Sequence, residues 1–214
     1  MKTTKNVAWL IALLKARYPD AICSLESRDA LQLLIATRLS AQCTDARVNV
    51  VTPALFAAFP TLDAFVEAQP EDVLPYIRSC GFFNTKSKDI VAMCRMIKET
   101  YGGRVPDTME ALIALPGVGR KTANLILGDV YGKPAVVTDT HCIRISNRLG
   151  LCKTEDPYKV ELALREILPP EESNNFCHRL VLFGRDVCTA RAPKCTECPL
   201  LALCPWGKKA AGKK

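Results

Sequence analysis

The sequence has no apolar run of the length that crosses a membrane, which needs about 20 residues. Its basic start, Met1-Lys2-Thr3-Thr4-Lys5, leads into an amphipathic segment and not into the continuous apolar stretch of a secretory signal. β-Branched clusters such as Val136-Val137 are too short to build a sheet, and no internal repeat is visible. We therefore expect a cytoplasmic protein with no membrane partner, and we exclude sheet and repeat architectures.

Helical periodicity runs through most of the chain. Apolar residues recur at helical spacing in the first segment, at Val7, Leu10, Ile11 and Leu14. The same pattern predicts helices over 45–58, 121–131, 139–149, 157–168 and 172–184. Asp107 with Glu110 three residues later predicts the capped start of a short helix that ends near Leu115. The sequence therefore predicts an all-α fold.

The eleven cysteines divide into two groups. Seven have no motif spacing and are interpreted as small buried apolar residues: Cys23, Cys43, Cys80, Cys94, Cys142, Cys152 and Cys177. The other four, Cys188, Cys195, Cys198 and Cys204, lie within 17 residues, which indicates a metal or cluster site where no secretory signal is present.

Four thiolates can bind either zinc or a [4Fe–4S] cluster. Zinc sites usually use two close cysteine pairs, whereas only Cys195 and Cys198 are that close here. The spacing also differs from the ferredoxin pattern, which weighs against a dedicated electron carrier. Arg191 and Lys194 lie between the first two cysteines. Spacing alone favours neither interpretation of these two cations: they could be solvated surface charges, or they could contact a phosphate backbone.

The segment Leu115-Pro116-Gly117-Val118-Gly119-Arg120-Lys121-Thr122-Ala123 lies between two helical patterns. Gly117 and Gly119 allow a tight turn and a close approach of another molecule. Their amides, with the exposed N–H groups of the next helix, form an anion site that suits a DNA phosphate. The string is typical of a helix-hairpin-helix motif, and the net charge of +7 is compatible with a nucleic-acid partner.

Lys121 falls in the first turn of the helix after this hairpin. By itself, a lysine at this place is more often a phosphate-contacting cation than a nucleophile, because an attacking amine must be neutral. Asp139, at the predicted start of a later helix, could likewise be only a helix cap. Together the two suggest catalysis, since a carboxylate can stabilise positive charge developing at a sugar C1′ and help to move protons.

In combination these elements resemble the endonuclease III family of helix-hairpin-helix DNA glycosylases, from about Leu31 to Cys204. The resemblance rests on motifs that occur in the family's order: Leu39-Ser40-Ala41-Gln42 followed by Thr44-Asp45, Leu115 to Ala123, Asp139-Thr140-His141, Asn147-Arg148 and the cysteine spacing.

The resemblance implies two helical domains with a DNA-binding cleft between them. A six-helix domain with the hairpin would span 22–133, and a discontinuous domain with a [4Fe–4S] cluster would comprise 1–21 and 134–214. It also implies a bifunctional glycosylase and abasic-site lyase of base excision repair, acting as a monomer in the cytoplasm, associated with the nucleoid. The substrate would be double-stranded DNA with an oxidised pyrimidine, such as thymine glycol, or with an abasic site.

In this interpretation Lys121 attacks C1′ of an extruded nucleotide, and the Schiff base resolves by β-elimination. Gln42 corresponds to the residue that the family inserts into the vacated space. Phe82 corresponds to a second wedge that is leucine in many relatives, although it could be a core residue. Gly117 to Arg120 would contact the DNA backbone.

Three alternatives remain at this stage. Mismatch-directed adenine glycosylases are similar around the hairpin and the cysteines, but they lack a lysine where Lys121 stands and release the base without lyase chemistry. A non-catalytic DNA-binding iron–sulfur protein would leave Lys121 and Asp139 unexplained. A zinc-stapled helical protein would be colourless, whereas a [4Fe–4S] protein is brown.

Overall fold

The computed structural model describes residues 4–212, and in this range every regular element is an α-helix or a 3₁₀ turn. The predicted all-α fold is therefore confirmed for the described chain. No helix among these residues is long and apolar enough to span a bilayer. The chain divides into two compact units. We call Cys23–Gly132 the hairpin unit, and Met1–Ile22 with Lys133–Lys214 the cysteine unit.

The hairpin unit contains seven α-helices, one more than the resemblance implies. They are α2 (Ala30–Ser40), α3 (Asp45–Ala58), α4 (Leu62–Glu67), α5 (Pro70–Ile77), α6 (Phe83–Thr100), α7 (Met109–Ala114) and α8 (Arg120–Asp129), with a 3₁₀ turn at Arg78–Cys80. Helix α6 packs against α4 and α5, while α2 packs against α3 and α8. The hairpin connects α7 to α8, which pack against each other.

Side-chain caps begin most helices of the hairpin unit. Asp29, Thr44 and Thr61 each accept a hydrogen bond from the backbone N–H three residues later, at the starts of α2, α3 and α4. Each such cap contributes about 1 kcal/mol to helix stability because it satisfies a donor that the helix itself leaves unpaired.

The cysteine unit contains α1 (Thr4–Arg17), α9 (Thr140–Leu149), α10 (Pro157–Arg165), α11 (Ser173–Asp186) and α12 (Pro205–Ala211). Short 3₁₀ turns lie at Pro170–Glu172, Cys195–Glu197 and Leu201–Leu203. Helix α11 packs against both α1 and α9, and α12 packs against α9. The core of this unit is apolar, with Leu10, Leu14, Ile145, Phe176 and Phe183 almost fully buried.

Three expectations from the sequence need correction. The helix that begins at Met109 is capped by Thr108, whose hydroxyl accepts from Ala111 N, and not by Asp107. The reason is that the chain is still extended at Thr108, so the helix begins one residue later than a cap at Asp107 requires. The predicted helix over 157–168 ends at Arg165. Two of the seven dispersed cysteines are not buried: Cys23 and Cys43 are partly exposed, whereas the other five lie in the core.

Candidate active site

The hairpin between α7 and α8 is a tight turn whose two glycines differ in conformation. Gly117 has φ +73, a left-handed conformation that L-residues rarely adopt. Gly119 is extended, with φ −95 and ψ 171, and forms the N-cap of α8. Val118 between them is buried, and its amide donates to Leu115 O at 3.1 Å. Val118 therefore shapes the turn with its side chain, while both glycines face solvent.

Gly117 also packs against an ion pair that the sequence did not indicate. Arg38 of α2 donates from Nε and Nη2 to one oxygen of Asp89 on α6, at 2.8 and 2.6 Å. A Cβ atom at Gly117 would lie 2.5 Å from Arg38 Nε and 2.8 Å from Asp89 Oδ2. The turn thus requires glycine for two independent reasons, its left-handed backbone and its contact with the ion pair.

Lys121 is an exposed residue in the first turn of α8, and the preceding Arg120 is half-buried. Four backbone N–H groups at a helix start lack helical partners, so this end carries partial positive charge. Lys121 lies near the thiol of Cys23. The pKa of Cys23 is raised to about 11, mainly by burial; the carboxylates of Asp129 and Asp45 contribute to the rise, while a hydrogen bond with the Leu25 backbone and the Lys121 ammonium oppose it.

Asp139 is the N-cap of α9 in the cysteine unit. Its Oδ1 accepts from Cys142 N at 2.7 Å, and the carboxyl group is half-buried. The cap role considered from the sequence is therefore present. This cap is compatible with catalysis, since the hydrogen bond from the Cys142 amide holds the carboxylate in one orientation.

Gln42 and Phe82 are both exposed, Phe82 to 65%. Phe82 is thus not a core residue. Within residues 4–212 they are the two non-glycine residues with positive φ, 53 for Gln42 and 48 for Phe82. Such strained conformations persist only where surrounding structure holds them, and they concentrate at functional sites. The structure thus marks these two residues independently of the family resemblance.

The four crowded cysteines surround one cavity of the cysteine unit. Its other walls are mainly apolar, including Ile145, Leu149, Phe183, Val187, Leu200 and Leu201. The side chains are not arranged around a single metal ion, since among residues 4–212 no group of three or more Cys, His, Asp or Glu is so placed.

Two donors point at the sulfurs of this cavity. Gly207 N donates to Cys204 Sγ at 3.2 Å, and Arg148 Nη1 donates to Cys188 Sγ at 3.3 Å. Burial and the neighbouring thiols raise the pKa of Cys198 and Cys204 above that of an ordinary thiol. Thiols in such apolar surroundings ionise readily only when a cationic metal centre binds them, because the metal charge compensates the burial of the thiolates. The donor set fits a cysteine-ligated iron–sulfur cluster, for which N–H groups directed at sulfur are a tuning element.

Arg148 organises the start of the cysteine loop. Its Nη1 and Nη2 donate to Thr189 O at 2.7 Å and Ala190 O at 2.8 Å, and its guanidinium lies 4.2 Å from the centroid of the Trp206 ring. Further along, Arg191 and Lys194 are exposed, and Lys194 Nζ lies 3.9 Å from Asp186 Oδ1. Both cations are therefore accessible to an anionic partner.

Sequence reasoning missed Lys86, which is 1% exposed inside the hairpin unit. A signal was available, because Lys86 lies on the apolar face of α6 with Ile90, Met93 and Ile97. A lysine on such a face must find acceptors for its ammonium group.

Known proteins match the chain over nearly its whole length. Residues 35–170 match the HhH-GPD superfamily of base excision DNA repair proteins, and residues 188–204 match the iron-sulfur binding domain of endonuclease III. Endonuclease III of a Synechocystis species is 48% identical over 197 residues, covering 92% of this chain and 90% of that protein. The Bacillus subtilis enzyme is 40% identical, covering 98% and 96%.

Solved structures agree with the sequence relatives. A non-covalent endonuclease III–DNA complex superposes with a TM-score of 0.92 at 42% identity, covering 99% of this chain and 100% of that one. A trapped endonuclease III–DNA covalent intermediate gives the same values. A thermostable thymine-DNA glycosylase, 23% identical with a TM-score of 0.85, shares the fold. By its sequence and its fold, this chain belongs to the endonuclease III family and carries the family's [4Fe–4S] cluster.

Proposed function

We propose that this protein removes oxidised pyrimidines such as thymine glycol from duplex DNA, with Lys121 as nucleophile and Asp139 as its partner. The enzyme class follows from the family: the chain is a DNA glycosylase and abasic-site lyase of base excision repair. The observation that carries the residue assignment is the exposure of Lys121 in the first turn of α8, directly after the turn that contains Gly117 and Gly119.

The hairpin supports the assignment because it provides the place for a phosphate. Gly117 and Gly119 are exposed, no atom lies within 4 Å of a Cβ built at Gly119, and the positive end of α8 follows. A phosphate that binds there is attracted by the unpaired N–H groups and by Arg120. The neighbouring Lys121 is then within reach of the sugar of a nearby nucleotide.

The reaction we propose has three stages. The neutral Nζ of Lys121 attacks C1′ of the extruded nucleotide, and the base leaves with the electron pair of the glycosidic bond and takes up a proton. The C1′–O4′ bond then breaks and O4′ takes up a proton, which opens the sugar ring and gives a protonated Schiff base between Nζ and C1′. Loss of a proton from C2′ breaks the C3′–O bond by β-elimination, so the strand is nicked and the expelled phosphate stays on the downstream strand as its 5′ end.

Asp139 has two proposed roles in this reaction, one electrostatic and one in proton transfer. Its carboxylate stabilises the positive charge that develops at C1′, and it exchanges protons with the reacting groups. The hydrogen bond from Cys142 N to its Oδ1 supports this role because it limits the rotation of the carboxylate.

Extrusion of the damaged nucleotide costs a few kcal/mol, least for a poorly stacked base. We propose that Gln42 and Phe82 enter the duplex and fill the space that the nucleotide leaves. Their exposure and their strained backbones support this role. An inserted aromatic ring can stack on a base that has lost its neighbour.

Cys188, Cys195, Cys198 and Cys204 are the proposed cluster ligands, supported by the cavity that all four line. The cluster supplies four metal–thiolate bonds that tie together a loop with little regular structure. Arg191 and Lys194, which are exposed on this loop, are proposed to contact the DNA backbone.

We further propose that the family's two domains span 22–133 and, discontinuously, 1–21 with 134–214. The compact units Cys23–Gly132 and Met1–Ile22 with Lys133–Lys214 support this division. The protein is proposed to act as a monomer in the cytoplasm, associated with the nucleoid, and its net charge of +7 favours binding to DNA.

The test is borohydride trapping on a duplex with a single thymine glycol. Borohydride reduces the Schiff base to a stable amine, so that the protein stays on the DNA in a denaturing gel. We expect trapping and nicking by the native protein and neither by Lys121→Ala, which should still bind the duplex. Lys98→Ala is the matched control, because Lys98 is a half-exposed lysine that forms a surface ion pair with Asp63 at 2.9 Å.

The other outcomes separate the alternatives. Base release without a trapped complex would identify a monofunctional glycosylase. Binding without release or trapping, on a panel of damaged bases and on an abasic site, would identify a non-catalytic DNA-binding protein. Trapping that survives Lys121→Ala would show that another amine is the nucleophile.

A further inference from the structure

Lys86 is a buried cation in the middle of the hairpin unit. Its side chain is 1% exposed, and its Nζ donates to Leu39 O at 2.7 Å and to Cys80 O at 2.6 Å. Burial of an ammonium group is costly unless acceptors replace its water. Burial also lowers the pKa of Lys86, while the thiols of Cys43 and Cys80 oppose that shift. The two carbonyl acceptors are therefore what makes the buried ammonium group tolerable.

The two carbonyls that accept from Lys86 belong to the segments that end in the proposed DNA-inserting residues. Leu39 lies in the last turn of α2, where unpaired carbonyls carry partial negative charge, and Gln42 follows three residues later. Cys80 ends the 3₁₀ turn Arg78–Cys80, and Phe82 follows two residues later. One ammonium group therefore links the two segments that lead to Gln42 and Phe82. Lys86 lies 47 positions after its first acceptor, Leu39, in the sequence.

Backbone strain marks the same two places. Gln42 with φ 53 and Phe82 with φ 48 adopt the left-handed conformation without being glycine. Such a conformation needs surrounding structure that holds it. Lys86 binds the chain three residues before Gln42 and two residues before Phe82. Its own backbone N–H also donates to Phe82 O at 3.0 Å, so that Phe82 is held from both sides.

We propose that Lys86 is a positioning residue that holds Gln42 and Phe82 at a fixed separation, so that both side chains enter the duplex together when a nucleotide is extruded. The proposal rests on the proposed function, since it assumes that these two residues insert into DNA. Lys86 itself is buried and touches neither DNA nor the reacting atoms. It acts through the two carbonyls, and the loss of its ammonium group frees both segments at once.

The variant Lys86→Met tests this role, because methionine keeps an unbranched side chain and removes the donors. The readout is the ratio of affinities for two duplexes, one with a tetrahydrofuran abasic analogue and one undamaged. Insertion of Gln42 and Phe82 into the vacated space contributes only to the affinity for the abasic analogue. Contacts to the DNA phosphate backbone contribute to both affinities. Unfolded protein lowers both apparent affinities by the same factor and so cancels in the ratio, and a circular-dichroism melting curve checks that each variant folds.

We expect Lys86→Met to bind undamaged DNA within about threefold of the native protein and to lose roughly 10- to 100-fold of its preference for the abasic analogue, the scale at which misplaced contacts act. Lys98→Met on the same helix α6 is the matched control and should keep the preference. Lys86→Gln keeps two N–H donors on a side chain one atom shorter, so its preference for the abasic analogue should lie between those of the native protein and Lys86→Met. It replaces Lys86→Met as the test variant if that protein does not fold.

Two results would overturn the inference. A folded Lys86 variant with native preference would show that the carbonyl contacts do not position the two residues. An equal loss of affinity for both duplexes would show that Lys86 serves only the general fold. If the native protein itself shows no preference and no borohydride trapping, the proposed function fails, and the inference fails with it.

Discussion

Replacing Gly117 by alanine should destabilise the hairpin unit, whereas the same change at Gly119 should not. At Gly117 the new Cβ would lie 2.5 Å from Arg38 Nε and 2.8 Å from Asp89 Oδ2, on a backbone with φ +73. At Gly119 the φ is −95 and no atom lies within 4 Å of the built Cβ. The two substitutions add the same methyl group to the same turn, two residues apart.

The magnitude for Gly117→Ala follows from two costs. The left-handed conformation costs an alanine about 1–2 kcal/mol. The methyl group must also displace the Arg38–Asp89 pair, whose side chains are only 14% and 23% exposed. Complete loss of one partner of a buried pair costs about 3–5 kcal/mol, so we take a partial loss here. The sum is about 3 kcal/mol, which lowers the melting temperature by roughly 6–12 °C for a chain of this size.

Thermal melting followed by circular dichroism measures the stability, and titration of a fluorescent duplex measures DNA binding. Gly119→Ala should stay within about 1 kcal/mol of the native stability, because its main cost is a poorer helix cap. It should nevertheless weaken DNA binding, since its methyl group points into the open space proposed for a phosphate. Equal melting temperatures for the two variants would refute the packing argument at Gly117.

Three further outcomes are expected. Asp139→Asn should melt like the native protein, because asparagine is an equally good helix cap, yet slow base release by about 100-fold or more, as removal of a catalytic carboxylate does. Cys204→Ser should purify with little iron and without the broad visible absorbance of the cluster. Hydrogen bonds from Lys15 and Arg179 hold the pKa of Glu172 below the ordinary value of 4.5, so Glu172 stabilises the fold above about pH 4.5 and loses this effect as the pH falls through its lowered pKa. Glu172→Gln should therefore melt below the native protein at pH 7, and the gap should narrow below pH 4.5.

Each of these expectations can be contradicted by a simple result. Native rates of base release by Asp139→Asn would leave Asp139 as a helix cap only. Full iron content in Cys204→Ser would remove Cys204 from the ligands. A melting difference for Glu172→Gln that stays constant from pH 7 to below pH 4.5 would mean that the ion pairs do not carry it.

Local sequence patterns determined much of the architecture. The helix over Asp45–Ala58 was predicted with its observed bounds, because apolar periodicity is a property of neighbouring residues. The hairpin and the cysteine spacing are local for the same reason. The error at Asp107 is also local, since Thr108 next to it offers an equivalent hydroxyl cap.

Contacts between distant segments were not accessible from these patterns. Arg38 and Asp89 are separated by 51 positions in the sequence, and Gly117 lies still further along the chain. Local patterns therefore could not show why a methyl group is excluded at Gly117. The partial exposure of Cys23 and its place beside Lys121 depend equally on packing.

The sequence by itself thus determined the helices, the hairpin, the place of Lys121 at a helix start and the set of four thiols, because each is encoded over fewer than 20 residues. Only the tertiary structure decided that Gln42 and Phe82 are both strained and exposed, and that Lys86 joins their segments. The physical reason is that hydrogen bonds and burial depend on which segments meet in space, and a pattern along the chain does not contain that information.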